Sequence, residues 1–333
     1  MLLFIGAATH AQNADTLIAR GIEYHDRGEF KSAEKLYKQA IELAPEKALA
    51  WYELALTYYH WGKMKKAERA INKAVALEDL DICADVFALQ GSLYDDMGYA
   101  YKAIWAYQEG IAECGPSYSL YYNMGLAQWK MGDVDAAGES FNESAQLNPF
   151  TPSSHILLWA VYSSSGQKVR SALPGLFSFI FETETNRSEM VFENLSGILY
   201  PVYDEDGNIE LDMKTFSLGT QGAEGLTGKD FEWSLKVAKL AGDAKDSLDE
   251  IETFHFITSA YIDYVHELRP EDPGTDAVWL LYEPAFYEMK ELGLLSTYCY
   301  MVYAPYNEEA STWVEEHAEE VDALVAFVEE LEI

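Results

Sequence analysis

Ala48-Leu49-Ala50-Trp51-Tyr52-Glu53-Leu54-Ala55-Leu56-Thr57-Tyr58-Tyr59-His60-Trp61-Gly62-Lys63-Met64-Lys65-Lys66-Ala67-Glu68-Arg69-Ala70-Ile71 is the stretch that decides the fold. Two apolar-periodic segments flank one glycine, with a small residue seven positions before it and another five positions after it. The layout recurs around Gly28, Gly62, Gly98, Gly132 and Gly166, at spacings of 34, 36, 34 and 34 residues. Seven before each glycine stand Gly21, Ala55, Gly91, Gly125 and Trp159, and five after stand Ala33, Ala67, Ala103, Ala137 and Ser171. Two helices approach closely only where side chains are small, so these positions read as the contacts of an antiparallel helix pair. Large residues recur between them: Tyr24, Tyr58, Tyr94 and Tyr162 in the first helix, and Tyr37, Ile71, Tyr107 and Phe141 in the second. Pro45 and Pro149 close two of the units, because proline has no amide hydrogen with which to continue a helix.

This period, the small and aromatic positions, Trp51 and the closing prolines resemble the tetratricopeptide repeat, over about half of the chain. The repeats fall at 14–47, 48–81, 84–117, 118–151 and 152–185. The fifth is degenerate, with Trp159 where a small residue is usual and Pro174 inside its second helix. The fold class expected is therefore mainly α: a superhelix of helical hairpins over 13–185, then a mostly helical, acidic C-terminal domain over 186–333 with one β-hairpin. Residues 1–12 read as a signal-peptide remnant or an N-terminal extension.

The resemblance implies that the first helix of each hairpin lines a concave face that grips a peptide or a partner helix. Mapped onto this sequence, that face carries His25, Tyr52, Tyr59, His60, Asp95, Asp96, Tyr122 and Trp129, with Asp26, Asp85, Ser92, Ser163 and Ser164 nearby. Its acidic and aromatic character points to a protein or peptide partner with basic or apolar segments. Repeats of this family that bind acidic chaperone tails do so with a carboxylate clamp of Lys, Asn and Arg. Here only Lys130 and Asn123 lie near the face, too little cationic charge to anchor two carboxylates, so no chaperone-tail partner is expected.

Charge narrows the partner class further. The chain carries 56 Asp/Glu against 23 Lys/Arg, a net charge of -33, which repels phosphate backbones and anionic membranes, so no nucleic acid is expected as partner. The acid is uneven: 15 Lys/Arg face 23 Asp/Glu up to residue 185, and 8 face 33 beyond it. A solvated surface, adaptation to salt, or attraction of a basic partner or divalent cation would each account for it. No segment is long and apolar enough for a transmembrane span. The start, Met1 to Gln12, is an apolar run followed by Thr9-His10-Ala11. It reads as the end of a secretory signal cleaved after Ala11, which places the protein in the periplasm or outside the cell, with a cytoplasmic scaffold as the alternative. The cysteines Cys83, Cys114 and Cys299 offer neither a disulfide framework nor a thiolate metal cluster. Cys83 and Cys114 fall at the open ends of one hairpin, where a disulfide is conceivable, but they read as inert buried thiols.

Beyond residue 185 the expectations are of a hairpin near 198–216 turning at Asp206-Gly207, and of helices with capping boxes at Ser247/Glu250 and Thr312/Glu315. Two apolar stripes follow, Phe254, Tyr261, Val265 and Leu268, then Trp313, His317, Val321, Leu324, Phe327 and Leu331. Asp204 to Asn208 reads as a turn, since its glycine falls too early for an EF-hand. Ala223 to Asp230 misses a phosphate-binding loop at the decisive place, where Asp230 replaces the hydroxyl that would hold magnesium. No histidine pair of zinc-site spacing and no nucleophile elbow occurs, so no catalytic residue, cofactor or metal is assigned. His255 reads as a core histidine, and Glu283, Glu288 and Glu291 as a wet helix face. The function expected is a non-catalytic interaction scaffold or adaptor, with an enzyme or ligand-binding site in 186–333 as the alternative.

Overall fold

The computed structural model describes residues 2–199, 202–203, 209–210, 229–244 and 248–331. It divides into two compact units, residues 1–133 and 134–333.

The first unit is a row of helices: α1 Leu2–Asp26, α2 Phe30–Leu43, α3 Ala48–His60, α4 Met64–Val75, α5 Cys83–Asp96, α6 Ala100–Cys114 and α7 Tyr118–Lys130. The pairs α1/α2, α3/α4 and α5/α6 form hairpins, and each second helix packs on the next first helix. The glycine turns explain the period. Gly28, Gly62, Gly98 and Gly132 have φ of 74°, 73°, 79° and 83°, a left-handed backbone that residues with a Cβ resist. In each turn the glycine N–H donates to the carbonyl three residues back and the next N–H to the carbonyl five back, as in Gly62 to Tyr59 and Lys63 to Tyr58.

Aromatic rings lying against glycines hold the first and third hairpins closed. A Cβ on Gly21 would lie 2.4 Å from the Tyr37 ring, and one on Gly91 would lie 2.3 Å from the Tyr107 ring. Each pair is separated by sixteen residues. In the second hairpin the equivalent positions are Ala55 and Ile71, both fully buried in the same core cluster. Trp51 donates its indole N–H to the Pro45 carbonyl at 3.0 Å, which ties the start of α3 to the loop that precedes it. Cys83 at the start of α5 and Cys114 at the end of α6 are bonded to each other, with Cα atoms 5.7 Å apart. This corrects the reading of inert thiols: an antiparallel pair brings the N-terminus of one helix beside the C-terminus of the other. Cys299 is the free, buried cysteine.

The second unit begins inside the fourth repeat with α8 Val134–Leu147, followed by α9 Pro152–Ser164 and α10 Lys168–Ser178. Gly166, at φ 75°, makes the turn between α9 and α10. Trp159 is not a defect of this hairpin. The residue sixteen positions on is Gly175, whose Cβ would lie 3.0 Å from the Trp159 ring, so the large and small partners have exchanged helices. Next come α11 Asn186–Leu199, α12 Lys229–Ala244, α13 Glu250–Glu267, a π-helical turn Val278–Tyr282, α14 Glu283–Glu291, α15 Leu295–Tyr303, α16 Glu308–Glu316 and α17 Ala318–Glu330.

The C-terminal helices pack on one another, as Phe286 on Tyr298 and Phe254 on Tyr303, and are also tied to α8 and α10. Tyr261 and Tyr298 donate their hydroxyls to the carbonyls of Val169, at 2.5 Å, and Leu176, at 2.6 Å. Asn142 donates to the Thr275 carbonyl and accepts from the Ala277 N–H, both at 2.7 Å. Arg170 pairs with Asp276 at 2.6 Å over the Tyr162 ring. All of these bonds lie within the compact unit that begins at Val134. His155 is fully buried among Phe177, Phe181 and Tyr282. Its Nε2 lies 2.7 Å from the Pro149 carbonyl, which can only accept, so the proton sits there and Nδ1 accepts from the Tyr282 hydroxyl at 2.8 Å. Burial, opposed by the Pro149 bond, lowers the His155 pKa to about 4.

Several details of the C-terminal region differ from expectation. The hairpin expected over 198–216 is not supported at that length: Ile198 and Leu199 end α11, and among the described residues the strand pairing is Val202 with Glu210 and Tyr203 with Ile209. The acidic loop 204–208 and the remainder of that stretch lie outside the described residues, as do Ser247 and residues 223–228, while Lys229 opens α12. The capping box of α13 is Asp249 with Glu252, whose side chains and backbone N–H groups bond reciprocally. Thr312 is not a cap, because Asn307 fills that place and Thr312 donates instead to the Glu308 carbonyl one turn back. The stripe from Trp313 to Leu331 is two helices broken at His317, and of its members Leu324 is buried. Among the described residues no helix is long and apolar enough to cross a membrane.

Three outcomes are expected. Gly91→Ala presses a methyl into the Tyr107 ring and should cost roughly 1–3 kcal/mol in urea unfolding; pairing it with Tyr107→Ile, the combination used in the second hairpin, should cost less than the two changes summed. Alkylation under denaturing, non-reducing conditions should label one cysteine and after reduction three, with Cys83→Ser losing about 2–4 kcal/mol. His155 is harder to protonate folded than unfolded, so its stabilisation is complete above pH 6.5 and fades as pH falls towards 4. Roughly 2 kcal/mol should go between pH 7 and pH 5, a window that is absent in His155→Gln.

Candidate functional site

The turns that require glycine also place the candidate binding residues. His25, Tyr59, Asp95 and Trp129 each stand three positions before a turn glycine, and their carbonyls accept its N–H. They therefore recur at one level, the C-terminal ends of α1, α3, α5 and α7. Their neighbours Asp26, His60, Asp96 and Lys130 take the next position and are exposed.

Side chains at this level reach from each first helix to the next. His25 Nδ1 lies 2.7 Å from the Thr57 hydroxyl, and its ring meets that of His60 edge to face at 5.2 Å between centroids. Tyr59 packs on His60 at 5.5 Å and donates its hydroxyl to Asp96 at 2.5 Å. Lys130 donates to Asp95 at 2.5 Å. The result is a ladder of polar rungs linking α1 to α3, α3 to α5 and α5 to α7, made by His25, Tyr59, His60, Asp95, Asp96 and Lys130. Tyr52 lies about two turns deeper on α3 and is partly buried, and Tyr122 has the equivalent depth on α7. The structure thus separates the eight expected residues into an outer ladder and two deeper tyrosines, with Trp129 half-buried beside Lys130.

The electrostatics follow from burial and neighbours. Burial, with smaller contributions from His60, which lowers it, and Asp26, which raises it, leaves the His25 pKa below its ordinary value. Burial and the bond to Asp96 push Tyr59 up to about 12, and burial with Asp85 nearby does the same for Tyr52. All three rings are uncharged at neutral pH. Among the described residues Lys130 has no second cation beside it with which to form a carboxylate clamp; its role is internal, neutralising Asp95, whose side chain is mostly covered. Asp95, three positions before Gly98, and Lys130, two before Gly132, stand at neighbouring positions of the same repeat level, and that is the available signal.

Elsewhere, His255 is half-buried rather than in the core. It lines a cavity of about 370 Å³ with Glu252, Ser296 and Tyr300, but Glu252 is committed to capping α13. Glu283 is not on a wet face: it is 1% exposed, held by His266 at 2.5 Å and by Arg269, with Tyr287 stacked on the His266 ring. The π-helical turn before it gives no spacing clue in sequence, which is why the pairing was not anticipated. Among the described residues no group of three or more His, Cys, Asp or Glu side chains could hold a metal ion.

Comparison with known proteins agrees with the hairpin geometry. A family model described as TPR repeat matches residues 21–62, and one described as tetratricopeptide repeat matches 48–79 and 118–151. A TPR repeat-containing protein of Methanocaldococcus jannaschii, MJ1428, is 28% identical over 150 residues, 42% of this chain and 26% of that protein. Protein bimA of Emericella nidulans is 31% identical over 107 residues, 32% of this chain and 13% of its own length. The chain thus spans about a quarter or less of these curated relatives. A solved structure from a functional characterization of Pseudomonas aeruginosa pilF superposes with a TM-score of 0.51 at 18% identity, covering 78% of this chain and 99% of that one. That likeness is one of fold, and it extends over more residues than five hairpins contain. Tetratricopeptide-repeat models thus match residues 21–79 and 118–151 of this chain, within its row of helical hairpins.

Proposed function

We propose that this protein is a non-catalytic interaction scaffold whose first-helix face binds a peptide or helix of a partner protein. The observation that supports this most is the ladder at the ends of α1, α3, α5 and α7. Side chains at one repeat level are already tied to one another, so the face is organised before a partner arrives and little side-chain entropy remains to be lost on binding. Tyr59 and Trp129 supply aromatic anchors. Lys130 cancels Asp95, so Asp96, Asp26 and Asp85, all exposed, carry the negative field that selects basic or apolar segments and disfavours acidic tails and nucleic acid.

An exported location, periplasmic or secreted, is part of this proposal. It is supported by the Cys83–Cys114 bond, which persists in oxidising compartments and is rare in reducing ones.

Panning a library of random twelve-residue peptides against the whole chain tests the binding surface. Enriched sequences should combine Lys or Arg with bulky apolar residues. Tyr59→Ala or Trp129→Ala should weaken them by on the order of 2 kcal/mol, chiefly through faster dissociation. Asp96→Asn should slow association and flatten its salt dependence, whereas Lys130→Met, which uncovers Asp95, should speed it. Enriched peptides that bind all four variants as they bind the parent chain would show that the working surface is elsewhere.

A further inference from the structure

A second surface lies wholly within the C-terminal unit. Between α15 and α17 the structure encloses a cavity of about 260 Å³. Tyr298, Val302 and Leu324 are buried at its base, and Phe179 and Phe181, just after α10, form one wall. Tyr298 spends its hydroxyl on the Leu176 carbonyl and so offers the cavity only its ring. Water gains little in such a space, since it needs two or more polar partners. The volume exceeds the roughly 150 Å³ of a dry apolar cavity that admits benzene, and falls below the roughly 300 Å³ at which drug-sized pockets begin. It suits one aromatic or branched side chain.

The mouth has its own character. Phe150 and Val325 remain 52% and 44% exposed, large apolar surface that the fold leaves in water, and Glu329 stands exposed beside them. From Leu295 to Glu330 the sequence holds nine Asp/Glu and no Lys or Arg. A fatty acid or an anionic lipid would bring its own negative charge against Glu329 and into this field, whereas a cation would be drawn to it.

We infer that this cavity is a docking pocket for one bulky apolar side chain of a peptide that carries Lys or Arg on either side of it. The pocket is distinct from the first-helix face and does not depend on it. The side chain enters between Phe150 and Val325, displaces water from both, and sets the flanking cations against Glu329 and the acidic face of α17.

Fluorescence anisotropy with the full chain tests this, using an eight-residue amidated peptide with a central tryptophan between lysine pairs. Controls are the same peptide with alanine for tryptophan, and with glutamates for lysines. The lysine–tryptophan peptide should bind, and each control should bind at least about tenfold more weakly. Val325→Lys and Phe150→Ala, both at exposed positions, should each weaken it about tenfold with the thermal midpoint unchanged, while Glu329→Gln should narrow the gap between lysine and glutamate peptides. Tyr59→Ala and Trp129→Ala should leave this binding intact, which separates the pocket from the face proposed above. The inference is overturned by absence of binding, by equal binding of the lysine and glutamate peptides, or by loss in Tyr59→Ala without loss in Val325→Lys. Co-sedimentation with phosphatidylcholine vesicles that requires Val325, in place of peptide binding, would overturn it in favour of a membrane surface.

Discussion

Everything in these hairpins depends on how closely two helices approach, and in the first, third and fifth a pair of residues sixteen apart sets that distance. In the first and third hairpins a glycine lies under a tyrosine ring with no room for a methyl group. In the second, the equivalent positions hold alanine and isoleucine. In the fifth, Trp159 and Gly175 keep the sum of sizes and exchange the helices that bear them. The invariant is therefore a volume shared between two facing positions, as expected of interiors packed to crystal-like density, and not a residue type at either one. Read by residue type, the fifth hairpin looks degenerate; read by shared volume, it belongs with the others.

The same closeness has consequences at both ends of a hairpin. At the closed end the chain must reverse within two residues, which needs a left-handed glycine and fixes the direction of the side chains just before it. That is why residues of different chemistry, a histidine, a tyrosine, an aspartate and a tryptophan, come to one level and can bond from helix to helix. At the open end of the third hairpin the helix termini lie near enough for Cys83 and Cys114 to join.

In the C-terminal unit the constraint is polar satisfaction as much as volume. Tyrosine hydroxyls from α13 and α15 end on carbonyls of α10, Asn142 holds both sides of one backbone turn, and His155 is fixed in a single tautomer between a carbonyl and a hydroxyl. Buried groups of this kind have few alternative partners, so the helices that carry them can pack in few other ways. Glu283 with His266 and Arg269 is the charged counterpart, stable only because all of its partners are present together.

The hairpins, their turns and the candidate face were legible in sequence because each rests on local geometry repeated at a fixed period: a glycine turn, a small residue facing a large one, and a fixed offset from the turn to the face. Eight candidate residues could be named from that period, but not that Asp95 would be cancelled by Lys130 or that Tyr59 would be tied to Asp96. Those contacts join residues 35 and 37 positions apart, and depend on the rotation of one hairpin against the next, which no local pattern encodes. The boundary between units, the Trp159/Gly175 exchange, the burial of His155 and Glu283 and the apolar cavity under α17 were decided by tertiary structure alone. They arise where segments distant in sequence meet, where Glu283 returns onto His266 and Arg269 across the π-helical turn, or where an exchange of volumes cancels in the packing while breaking the repeat in the sequence.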